Sequence, residues 1–294
     1  MIRRPRRPRR RHAAPAPSAA GIGRVATSRV GRRPVLAASL ATGALGGALG
    51  GALGGAGLGA LSPGRAAAQD GGGAVMVDVE LVLAADGSGS IDDDELRAQR
   101  HGYAAAITSE RVLSVILGGF NARIAIAYVE WGGASSQHTI VDWTLIDGPE
   151  AAGRFAEALV AAPRAAFGWN SISNALDYSR RLVASNAYEG FRKVVDVSAD
   201  SGQYGGRPLP EVRAELLSEG FTINALSIDF RGRGLGGPGG VPLAETFRRT
   251  LIGGPGAFVL PVTEEAQLTE AIIEKLVLEI AGLPPAPPAL SAIG

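Results

Sequence analysis

The chain has 294 residues and no cysteine, which excludes disulfides, thiolate metal sites and cysteine nucleophiles. Its 29 basic and 28 acidic residues nearly cancel, but residues 1–68 hold 12 arginines and no acid, leaving 17 basic against 28 acidic residues, a net of −11, in the remainder. The bulk of the protein would therefore repel phosphate, which argues against a nucleic-acid partner for the whole chain.

Residues 1–33 are dominated by Arg, Pro, Ala and Ser and lack the apolar content of a core. Arg32-Arg33 is followed by an uncharged Ala/Gly/Leu stretch to Leu61 and then by Ala66-Ala67-Ala68. The order of basic region, uncharged region and small-residue cleavage site resembles a bacterial twin-arginine export signal. That implies a mature chain from about Gln69, periplasmic or secreted, with no membrane insertion of its own. Two other readings stand beside it. The 25 uncharged residues 37–61 are long enough for a retained N-terminal membrane anchor, although their nine glycines lower both apolarity and helix propensity. The arginines could also form an organellar or nucleic-acid-binding arm.

Beyond the leader, short apolar runs alternate with helical patterns. Val77–Ala85 reads as a strand, Asp92–Leu117 as one or two helices, and Arg123–Trp131 and Thr139–Ile146 as two strands joined by a short polar link. A hairpin there places one antiparallel strand at the sheet edge. Pro149–Ala162 and Ser171–Ser185 read as helices, Lys193–Ser198 as a strand, Pro210–Ser218 as a helix, and Thr222–Ile228 as a strand. Leu243–Leu251 is helical in pattern, Ala257–Val262 extended, and Glu264–Ala281 a closing helix. The pattern predicts one doubly wound α/β domain over residues 69–282, with a mostly parallel sheet, one antiparallel edge strand and helices on both faces. The proline-rich residues 283–294 read as a disordered tail.

The first strand runs into Asp86-Gly87-Ser88-Gly89-Ser90, a carboxylate and two hydroxyls at alternate positions with glycines that let the backbone turn. Such side chains can converge at the carboxyl end of the sheet, and oxygen donors suit Mg²⁺, Mn²⁺ or Ca²⁺. An EF-hand would need Gly and Glu where Ile91 and Arg97 stand. The nucleophile-elbow, P-loop and dinucleotide fingerprints are absent, and His12, His101 and His138 are scattered. The plain alternative is a Gly/Ser loop that binds nothing.

Asp86-x-Ser88-x-Ser90 after an apolar strand, with Asp200 following the strand of VVDVSADS, resembles the metal-ion-dependent adhesion site of von Willebrand factor type A domains. The resemblance spans roughly Val75–Ala281, and the segments VEW, SISNALDYS and IGGPGAFVLPV are similar to a bacterial subgroup of unknown function. It implies a divalent ion held by Asp86, Ser88, Ser90, Asp200 and a residue from an intervening loop. The family has threonine in that loop, whereas this chain has Asn170, with Ser171 as the alternative. It also implies a non-enzymatic adhesion or assembly module whose protein partner offers Asp or Glu to the ion. A metal-dependent hydrolase or phosphoryl-transfer enzyme using the same oxygens is the alternative, weakened because no His or Lys stands beside the candidate ligands. A domain whose ion only fixes the loops is a third reading.

Asp92-Asp93-Asp94-Glu95 reads as an acidic helix start rather than a second cation site. Asp196, inside a strand, could support the metal loop or serve only the core. The loop Arg231–Gly240 reads as a flexible connection, although its two arginines could hold an anion. Trp131 and Trp143 read as core or rim, and only Trp169 is placed to touch a ligand.

Overall fold

The computed structural model describes residues 73–230, 240–283 and 285. The proposed export signal, most of the Arg231–Gly240 loop and nearly all of the proline-rich tail lie outside them. No helix among the described residues is long and apolar enough to cross a membrane.

Six strands form one sheet: β1 (Val75–Asp86), β2 (Ile124–Trp131), β3 (Gln137–Ile146), β4 (Tyr188–Ala199), β5 (Phe221–Ile228) and β6 (Val259–Val262), in the order β3-β2-β1-β4-β5-β6. All neighbouring pairs are parallel except β2 with β3, so the hairpin and the antiparallel edge are as the sequence implies. β1 shows why the sheet needs helices on both sides. Its residues from Val79 to Asp86 are all buried, with Leu81, Leu83 and Ala85 packed into one apolar cluster and Val82 and Ala84 into another. The first cluster is closed by α1 (Asp93–Ile107), α2 (Glu110–Leu117), α3 (Pro149–Ala161) and α7 (Leu268–Ala281). The second is closed by α4 (Ile172–Ala184), α5 (Leu209–Ser218) and α6 (Leu243–Thr250). The fold is a doubly wound, mostly parallel α/β domain.

Local chemistry sets the boundaries. Asp92 caps α1, its Oδ1 accepting from the Asp94 and Glu95 amides at 3.0 and 2.9 Å, while the Glu95 carboxylate accepts from the Asp92 amide at 3.0 Å. The acidic run is thus a helix start. Ser109 interrupts the next apolar stretch and caps α2, so Asp92–Leu117 holds two helices. α7 ends at Gly282, whose φ of 70° is the left-handed conformation that closes many helices.

Several boundaries differ from the sequence expectation, β1 and β3 each beginning two residues earlier, at Val75 and Gln137. β4 begins at Tyr188, five residues before Lys193, because the mixed segment Tyr188–Arg192 pairs with the start of β1. β6 begins at Val259 rather than Ala257. The closing helix is divided, with a 3₁₀ turn over Glu265–Gln267 preceding α7.

β1 and β4 are adjacent, yet the chain leaves β1 toward β2 on one side and β4 toward β5 on the other. Their carboxyl ends therefore flank the crevice where open α/β sheets place ligands. Asp86 ends β1, and Asp200 follows β4.

Candidate metal centre

Asp86 is the floor of the site, with no exposed surface. Its Oδ1 accepts from the Ser88 amide at 2.8 Å, and its Oδ2 accepts from Asn170 Nδ2 at 3.2 Å. Ser88 Oγ lies 3.1 Å from Ser90 Oγ, and Ser90 Oγ donates to Asp200 Oδ1 at 2.8 Å. Asp200 also accepts from Ser201 Oγ at 2.9 Å, and Ser201 in turn meets the Asn170 amide. Asp86, Ser88, Ser90, Asn170, Ser201 and Asp200 thus close into a ring of hydrogen bonds drawn from three loops.

The two candidates in the middle loop part company here. Asn170 touches Asp86, whereas the hydroxyl of buried Ser171 donates to Asn174 Oδ1 at 2.9 Å, at the start of α4. The Asn170 amide presents its NH₂ to Asp86, so coordination through its oxygen asks for a half-turn of the amide.

The ring carries two carboxylates and no cation. Among the described residues no Arg, Lys or His pairs with Asp86 or Asp200. Burial, with a smaller contribution from Asp200, pushes the Asp86 carboxyl up to about 7 despite its hydrogen bonds from Ser88. Among the same residues no three His, Asp or Glu side chains converge as a metal site would. The donor set is two carboxylates supplemented by hydroxyls and an amide, which fits a hard divalent ion that keeps positions for other ligands.

Several residues without a sequence signal hold the loops in place. Arg164, from the segment after α3, donates through Nη2 to the carbonyls of Gly87, Ser88 and Ile91 at 2.8–2.9 Å, and through Nη1 to Asp93. Gln99 of α1 donates to the Asp86 carbonyl at 3.3 Å and accepts from Ser198 Oγ at 3.2 Å. At Gly132 a Cβ would collide with the Phe167 carbonyl, so glycine there lets the middle loop lie against β2. Tyr204 ties the loop after β4 to the middle loop, its amide donating to the Asn170 carbonyl at 2.5 Å.

The remaining sequence candidates lie apart from the ring. Asp196 is fully buried with Lys275 and Glu279 of α7, and the Tyr103 hydroxyl donates to it at 3.3 Å, so its role is in the core. Trp131 is buried, donating Nε1–H to the Ala84 carbonyl, and Trp143 is half-buried against Leu182. Trp169 stands exposed beside Tyr204 at the rim of the crevice. His138 meets Ser136, and His101 is exposed on α1.

Comparison with known proteins agrees with this architecture. Proximal thread matrix protein 1 of the mussel byssus shares the fold with a TM-score of 0.51 and 18% identity, over 71% of this chain and 49% of that chain. One of its structures has a zinc-occupied metal-ion-dependent adhesion site motif. The pilus adhesin SpaC of Lactobacillus rhamnosus GG aligns with a TM-score of 0.50 and 13% identity, over 71% of this chain and 32% of that chain. This chain spans about half of the mussel protein and a third of the adhesin. No curated protein matches the sequence. Residues 76–284 match the family model described as protein of unknown function, DUF1194. The chain belongs to the DUF1194 family, with a von Willebrand factor type A-like fold.

Proposed function

We propose that the protein is an exported, divalent-cation-dependent binding module that captures an acidic group on a protein partner, and that it is not an enzyme. The observation that carries this reading is the pair Asp86 and Asp200, which no cation among the described residues compensates, joined by Ser88, Ser90 and Asn170 at the switch point of the sheet. Asp86 and Asp200 would supply the charge that holds the ion, and the hydroxyls and the amide would complete its protein ligands. Bound there, Mg²⁺, Mn²⁺ or Ca²⁺ would offer an open position to a partner's carboxylate. The mussel protein shows that the fold is compatible with a divalent ion, although the all-oxygen donors here favour a harder ion than zinc.

The cleft beside the ring favours binding over hydrolysis, since none of the described residues lining it is a His, Lys, Asp or Glu that could move a proton. Affinity capture from a periplasmic extract, with the full chain as bait, tests the reading. A partner retained in Mg²⁺ should be lost with chelator and with Asp200→Ala. Retention unaffected by either change, or metal-dependent turnover lost with Asp200, would refute it.

The domain limits we propose are an export segment over residues 1–68, the binding domain over 69–282 and a tail over 283–294. The twin-arginine order supports periplasmic delivery. Replacing Arg32 and Arg33 by Lys should leave uncleaved precursor in the cytoplasm, detected by fractionation. Normal export of that variant would contradict the assignment, and full-length chain in washed membranes would favour the N-terminal anchor.

A further inference from the structure

The ring of ligand candidates opens into a cleft of about 670 Å³. Ser90 and Asn170 belong to both, so a group seated on the ring has its neighbours in the cleft. Trp169 and Tyr204 form one wall, 72% and 63% exposed, with ring centroids 5.2 Å apart and planes tilted by 33°. Neither aromatic is placed there for the core. Trp169 follows Gly168, whose φ of 97° is in the left-handed region, and Tyr204 is tied down by the hydrogen bond that its backbone N–H donates to the Asn170 carbonyl.

The chemistry of the other walls narrows the occupant. The described residues that line the cleft carry no charge, so among them a second charged group on the partner would find no counter-ion. Several of the polar side chains are already engaged, while the Tyr204 hydroxyl and Trp169 Nε1–H meet no hydrogen-bond partner among the described residues. Gln203 bonds Ser173 through both ends of its amide, and Ser90 and Ser201 both donate to Asp200. Two aromatic faces beside bare glycine backbone suit an apolar side chain.

We propose that Trp169 and Tyr204 form a second recognition element that selects a bulky uncharged residue next to the partner's acidic residue, so that the ligand is an acidic–apolar step in an extended peptide. This inference rests on the reading of the ring as a cation site. An aromatic contact of this kind is worth about a three- to tenfold gain in affinity.

The test uses the full chain in Mg²⁺ and labelled Gly/Ser heptapeptides with a central Glu followed by Trp, Leu, Lys, Asp or Gly. Affinity is read by anisotropy, and occupancy by protection of tryptophan fluorescence from acrylamide. Trp131 is buried and Trp143 half-buried, so Trp169 dominates the accessible signal. Unlabelled peptides serve for the fluorescence arm, with Leu following Glu. The Trp and Leu peptides should bind best, the unlabelled Leu peptide should protect Trp169, and Trp169→Ala and Tyr204→Ala should bring all five peptides to the level of the Gly peptide. Equal binding of all five by the wild-type chain, a preference unchanged in both variants, or no binding at all would overturn the inference. Protection of Trp169 that persists with chelator and in Asp200→Ala would support the aromatic contact while removing the cation reading beneath it. Mg²⁺ binding measured by calorimetry without any preference for the flanking residue would do the reverse.

Discussion

Asp86 is a carboxylate taken out of water, and in the absence of a cation it is held by its proton. Its pKa of about 7 lies above the ordinary range, mainly through burial, so the native state binds that proton more tightly than the unfolded chain. The stabilisation is complete below the unfolded value and is lost as pH rises through 7. Asp86→Asn removes the charge and keeps an oxygen for the Ser88 amide, and Asn170 can turn its own oxygen toward the new NH₂. With chelator at pH 8 this variant should resist urea better than wild type by on the order of 2 kcal/mol, yet fail to bind Mg²⁺. Lower stability under those conditions would show that the charge of Asp86 is already compensated. The sequence made this residue conspicuous because a lone carboxylate after an apolar run has few structural uses. Ser88, Ser90 and Asp200 were equally legible from spacing and family resemblance, and all three join the same ring. Arg164 was not, because its partners are backbone carbonyls more than 70 residues earlier in the chain, which leave no pattern in side-chain identities.

The elements around the site act as clamps on loops that would otherwise be free. One guanidinium nitrogen of Arg164 satisfies three carbonyls of the Gly87–Ile91 turn, and the same segment leads into Trp169 and Asn170. Arg164→Ala should cost about 1–3 kcal/mol in urea unfolding, since buried carbonyls lose a charged donor. It should also weaken Mg²⁺ binding without abolishing it, because no proposed ligand is removed. Calorimetry showing unchanged metal affinity would mean that the turn keeps its shape unaided. Strand and helix identities were readable wherever an apolar period continued, as in Val79–Ala85 and Thr222–Ile228. They were obscured where pairing rather than burial defines the strand. Tyr188–Arg192 extends β4 with Glu189 and Phe191 exposed, so only its ladder with β1 identifies it. Likewise Lys275 and Glu279 resemble a solvated pair at i,i+4, yet α7 turns both inward.

At the scale of the whole domain, that inward pair meets Asp196 between α7 and the sheet, placing two carboxylates and one ammonium in the core. Burial, reinforced by the Asp196 charge, pushes Glu279 up to about 7, while Lys275 and the Asn224 amide pull the other way. Asp196 is raised too, mainly by burial. Both therefore act in the same direction as Asp86: metal-free stability should fall from pH 5 to pH 8. Glu279→Gln keeps an acceptor for Asn224 and leaves one acid opposite one base, so it should flatten part of that slope and raise stability at pH 8. Thermal melts of wild type and variant across this range, with chelator present, give the comparison, and an unchanged slope would assign the pH dependence elsewhere. The core ionisation and the proposed cation site share the sheet but not their residues, which lets metal dependence and core titration be separated. Calorimetric titration of Mg²⁺ into the metal-stripped full chain at pH 8 decides whether the ring holds a cation. One site per chain, lost in Asp86→Ala and in Asp200→Ala with the fold retained, is the predicted result; absence of binding to the wild-type chain, or binding unchanged in both variants, would contradict it.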